Sequence, residues 1–168
     1  MKNLFFVLGL LCLQSNLFSQ SHSKPLDDGF YLVAKKISDT VTMKQPNDGS
    51  LAFVRFNPLF IENAPDNTQA LLVYAINFVP LELAKEPQLV DGGKQKKLEL
   101  SLSKLAADKL AAFTTDNLMK EATLIVDGQA LTVNKIRAAI TGGKLEITRC
   151  SDNACEKIQV QLKNNVSK

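Results

Sequence analysis

The dipeptide Asp127-Gly128 sits inside the stretch TLIVDGQALTV (123–133), with apolar runs on both sides. Both residues accept positive φ, which a two-residue hairpin of the primed type demands. Two strands joined at this point are therefore the strongest local constraint in the chain. A second turn follows at Thr141-Gly142-Gly143, after the run IRAAI, and KLEIT returns as a third strand. Upstream, KLELSLS alternates strictly, with Leu98, Leu100 and Leu102 on one face and Glu99 and Ser101 on the other. That period of two marks a half-buried strand.

A helix is expected from about Ser103 to Met119. Ser103 suits the N-cap, and Ala106, Leu110 and Phe113 fall on one face. Thr114 and Thr115 are β-branched and weaken its last turns. The segment ACEKIQVQLKNN reads two ways. Cys155, Ile158 and Leu162 make a helical stripe, while Ile158, Val160 and Leu162 alternate as in a strand.

The first half reads as strands and loops. FYLVAKK is a strand, KQPNDGS a turn, and LAFVRFNPLFI a strand broken near Asn57-Pro58, because proline cannot donate to a ladder. ALLVYAINFV is either a buried strand or a short helix capped by Asp66 or Thr68. Phe53, Phe56 and Phe60 are read as core. The fold class that results is α+β, a small antiparallel sheet with two helices packed on one face.

The N-terminus has the form of a secretory signal: Lys2, then an apolar run from Leu4 to Leu13, then the polar stretch QSNLFSQSHS. The run is shorter than the roughly 20 residues of a spanning helix. Cleavage is expected near Ser19 to Ser21. Lipid attachment at Cys12 is disfavoured, since Leu11 stands where a small residue belongs. The expected organisation is a signal over 1–20, N-terminal strands over 21–77, a second region over 78–163 and a tail over 164–168. No later segment of the sequence suits a membrane crossing, so the mature chain is expected in the periplasm or outside the cell.

After processing, the cysteines that remain are Cys150 and Cys155, in CSDNAC. An even count in an oxidising compartment favours a disulfide that clamps the turn locally. The spacing is not Cys-x-x-Cys, and the single histidine, His22, lies beside the cleavage region. Neither a metal site nor a histidine-assisted nucleophile can be assembled. No cofactor motif is present: Gly142-Gly143 lack both the G-x-G-x-x-G spacing and the Lys-Ser/Thr of a phosphate loop. Glu82 with Glu86, and Asp27 with Asp28, read as solvated surface acids. The net charge of +3, with Lys94, Lys96 and Lys97 as the densest basic group, is too dilute for a nucleic-acid partner. The sequon Asn165-Val166-Ser167 falls in the expected tail. No enzyme is indicated.

The order of elements carries one resemblance. The stretch from LELSLS through AADKLAAFT, TLIVDGQALTVNKI and ITGG to EIT is similar to the head subdomain of the first periplasmic domain of the SecD and SecDF family. LELAKEPQLV is similar to a family strand upstream, and ACEKIQVQLK stands where the family has a final helix. The resemblance covers Phe78 to Lys163, about half of the chain, and favours a helix at the end. It implies a stand-alone, exported version of a non-enzymatic module that contacts unfolded or extended polypeptide emerging from the translocon. The family's transmembrane helices have no counterpart here, so ion-driven translocation does not carry over. The alternative is an accessory envelope protein that recognises one folded partner.

Overall fold

A computed structural model describes residues 26–38, 46, 49–91, 96–148, 150 and 153–166. The signal segment, His22, Lys94 and Ser167 lie outside these residues. Among them run nine strands: β1 (Gly29–Ile37), β2 (Leu51–Arg55), β3 (Ala70–Tyr74), β4 (Val79–Pro80), β5 (Gln88–Asp91), β6 (Lys96–Ser101), β7 (Glu121–Val126), β8 (Gln129–Lys135) and β9 (Lys144–Ile147). Two α-helices join them, α1 (Lys104–Asp116) and α2 (Ala154–Leu162). The α+β class holds, with antiparallel strand pairing throughout both sheets.

The strands divide between two sheets rather than forming one. The larger has the order β2-β3-β1-β7-β8, with β4 also on β1, and the smaller has the order β5-β6-β9. β1 pairs with β7, so the N-terminal strands and the region from Phe78 onward share a sheet. ALLVYAINFV resolves as strand β3 followed by bends. The broken strand is confirmed: β2 ends at Arg55 and a 3-10 turn begins at Pro58.

One parallel bridge, Phe56 to Ala130, brings the end of β2 onto the start of β8, and the Asn57 N–H donates to the Ala130 carbonyl at 2.9 Å. The larger sheet thereby curls back on itself. Its concave side encloses Tyr31, Val54, Phe56, Leu71, Val73, Ile125 and Ala130. The opposite side of β7 and β8 supplies Leu124, Val126 and Leu131 to a second core. Leu98 and Leu100 of β6, Ala106 and Leu110 of α1, and Cys155, Ile158 and Leu162 of α2 are among its other members. Both helices thus pack into the same core. Successive residues Leu124, Ile125 and Val126 alternate between the two cores, as the pleat requires. Each fully buried Leu or Ile contributes about 1.5–3 kcal/mol of burial.

Local signals explain the ends of the elements. The Ser103 hydroxyl accepts the Ala106 N–H at 3.2 Å and caps α1. The helix stops at Asp116, short of Met119, and Asn117 turns its side-chain amide onto the Phe113 carbonyl at 2.8 Å. The last segment is helical, as the stripe of Cys155, Ile158 and Leu162 requires, and all three are buried. Asn165 and Val166 are not a free tail. The Leu83 N–H donates to the Asn165 carbonyl at 2.9 Å, and Leu83 bridges Val166.

Candidate functional site

The hairpin turn has the conformation that its residues demand. Asp127 has φ 50° and Gly128 φ 68°, and Val126 pairs with Gln129 across it. The Asp127 N–H donates to the Asp28 carboxylate at 2.7 Å, and the Gln161 side-chain amide reaches the Asp127 carboxylate at 3.3 Å. Asp28 also accepts from the Asn165 side-chain amide at 2.7 Å. This polar knot ties β1, the β7–β8 turn and the C-terminal residues together. It occupies the nitrogen of the sequon.

Gly142 and Gly143 lie between the run IRAAI and β9. Gly143 has φ 61°, and a Cβ there would stand 2.9 Å from the Ala107 Cβ on α1. Its carbonyl accepts the Leu102 N–H at 2.8 Å. The turn therefore docks on α1 and on the end of β6, and only a glycine permits that approach. Cys150 and Cys155 are both buried in the helix-side core and stand at disulfide distance, Cα to Cα 5.4 Å.

The other sequence candidates are engaged separately. Glu82 faces the Ser103 hydroxyl at 3.3 Å, and Glu86 faces Lys163 at 3.7 Å. Lys97 pairs with Glu146 at 3.3 Å, and Lys96 pairs with Glu156. The hydrogen bond from Lys96 holds the Glu156 carboxyl below its ordinary value. Phe56 and Phe60 are buried, and Phe53 is partly so. No group of three or more His, Cys, Asp or Glu gathers among the described residues.

The feature most suited to binding lies away from these residues. A largely apolar cleft of about 200 Å³ opens between α1, β7, β8 and residues 136–140. Phe30, Leu110, Phe113, Ile136 and Ile140 form its apolar wall, and Lys135 and Arg137 stand among its lining residues. None of Asp127, Gly128, Gly142, Gly143, Cys150 or Cys155 lines it. Two attachments hold the 136–140 segment open over α1. At one end Ile136 exchanges backbone hydrogen bonds with Met119 and Lys120, both 2.8 Å. At the other the Ile140 N–H donates to the buried Thr114 hydroxyl at 2.9 Å. The sequence signal was the run IRAAI itself, apolar at both ends yet outside any strand.

The architecture overlays a SecDF structure, described as a membrane component that enhances protein export, with a TM-score of 0.50 over 82% of this chain, at 20% identity. The fold is SecD-like. A SecDF crystal structure in a super-membrane-facing form matches with a TM-score of 0.48 over 80% of the chain, at 18% identity. SecDF from Thermus thermophilus, a translocon-associated membrane protein, matches with a TM-score of 0.40 over 84%, at 14% identity. This chain spans 62%, 18% and 29% of those three chains, respectively. No protein-family model and no curated protein sequence matches it. No helix among the described residues is long and apolar enough to cross a membrane.

Proposed function

We propose that the chain is a non-enzymatic module that binds unfolded or extended polypeptide outside the cytoplasm, in support of protein export. The observation that carries this reading is the open apolar cleft on a SecD-like fold. A cleft of about 200 Å³ is smaller than the ~300–1,000 Å³ of typical small-molecule pockets and accommodates one or two apolar side chains. Exposed Met119 donates its backbone N–H to the carbonyl of Ile136 on the cleft lining. In this reading Phe78 to Lys163 form the head-like part, and β1 to β3 share the larger sheet with it. The apolar N-terminal run directs the chain to the export route. Cys150 and Cys155 are oxidised after export, and their bond pins the start of α2.

A titration tests the reading. The oxidised chain is titrated against a fluorescent, permanently unfolded polypeptide, with a folded protein as control. Saturable binding to the unfolded chain alone is expected. Binding to neither overturns the proposal, and binding to a single folded envelope protein favours an accessory role instead.

A further inference from the structure

The charges around the cleft are one-sided. No aspartate or glutamate lines it, whereas Lys135 and Arg137 do, and both are exposed. Neither has a carboxylate partner among the described residues. Glu121 sits directly across the β7–β8 ladder from Lys135, yet its carboxylate is engaged by Lys36 at 3.0 Å. Nearby, Lys120 donates to the Asn117 side-chain carbonyl at 2.9 Å, and Asp116 ends α1. An apolar cleft with two lining cations that no described carboxylate contacts complements an apolar group that has a carboxylate next to it.

We infer that the cleft selects polypeptide segments in which an apolar side chain is flanked by acidic residues. The inference rests on the polypeptide-binding reading above and specifies its substrate. The apolar side chain enters between Phe113 and Ile136, and the flanking carboxylates meet Lys135 and Arg137. Both cations stay hydrated, so a carboxylate approaching them sheds little water. The charges act mainly on encounter and on discrimination between partners. The cleft is open and of side-chain size, which suits a residue on a passing chain better than a long acyl tail.

Fluorescence anisotropy on the full chain tests this with three labelled peptides: leucine flanked by aspartates, leucine flanked by lysines, and serine flanked by aspartates. At low salt the first should bind roughly three- to tenfold more tightly than the second, the range that two exposed charge pairs supply. The serine peptide should lose most of its binding. The double variant Lys135→Glu/Arg137→Glu alters exposed side chains only, and should reverse the preference between the first two peptides. Equal binding of the aspartate and lysine peptides overturns the inference and leaves polypeptide binding standing. So does a double variant with an unchanged preference. Failure of all three peptides overturns both readings. Oleate binding that the peptides do not displace, with no peptide binding, would assign the cleft to a lipid instead.

Discussion

The Thr114 hydroxyl donates to the Leu110 carbonyl at 2.7 Å and accepts the Ile140 N–H at 2.9 Å. One buried side chain thus fastens the 136–140 segment to α1 and fixes one wall of the cleft. Thr114→Val keeps the shape and removes the acceptor, leaving the Ile140 N–H without a partner. The expected cost is about 1–3 kcal/mol in urea unfolding. Thr114→Ser, which keeps the hydroxyl, should recover most of the hydrogen-bond contribution. Equal stability of the Val variant and the parent would show that this bond does not hold the segment.

Gly142 and Gly143 should respond differently to the same change. Gly143→Ala places a Cβ at 2.9 Å from Ala107 in a residue of φ 61°. It should cost about 1–2 kcal/mol from the left-handed backbone alone, with the close contact added. At Gly142 a Cβ meets nothing within 4 Å, so Gly142→Ala should stay within about 0.5 kcal/mol. Thermal melts of the two variants side by side decide it. Similar losses at both positions would contradict the docking of this turn on α1.

Tyr31 is buried, donates to the Asp27 carbonyl at 2.7 Å and stacks on Phe78 with ring centroids 4.7 Å apart. Burial, and then the charges of Asp27 and Asp28, push its phenol well above the ordinary range. In the unfolded chain the phenol ionises near pH 10, while in the folded chain it stays neutral. The unfolded state therefore holds fewer protons above that pH, and stability falls as pH rises towards the folded value. Below about pH 10 the contribution is complete. The alkaline loss should shrink in Tyr31→Phe, which should also cost about 0.5–1.5 kcal/mol at neutral pH for the missing hydrogen bond. Identical stability profiles of parent and variant above pH 10 would refute the assignment to Tyr31.

The cysteine pair closes a short loop, with a sequence separation of 5. Loop-closure entropy for so small a ring gives about 2 kcal/mol. Thiol titration of the purified, unfolded chain should find Cys150 and Cys155 unreactive before reduction. Reduction should lower the stability by that amount without loss of the fold. Free thiols at these positions in protein recovered from outside the cytoplasm would argue against the clamp.

Several elements were legible locally. Asp127-Gly128 marks its turn because left-handed φ is a property of single residues. Ser103 marks a helix start because a cap needs only a hydroxyl and the next turn. Leu98, Leu100 and Leu102 mark a strand because the pleat has a period of two. Each signal is complete within a few residues, so the chain announces it without reference to the rest of the fold. The final helix at Cys155, Ile158 and Leu162 is partly such a case, since its spacing also allowed a strand.

Other features arise only when distant segments meet. Phe56 and Ala130 are ordinary apolar residues, and nothing near either one shows that their bridge curls the larger sheet. Thr114 reads as a weakness in a helix until Ile140 arrives to use its hydroxyl. Asn165 reads as a tail until Asp28 and Leu83 hold it. The cleft is the space left where α1, the hairpin and residues 136–140 do not quite meet. Local sterics encode turns, caps and periodicity. Closure, division into sheets and concavity depend on which apolar faces pack together over long separations. Many apolar side chains can make such contacts, so the sequence leaves them open and the packed core settles them.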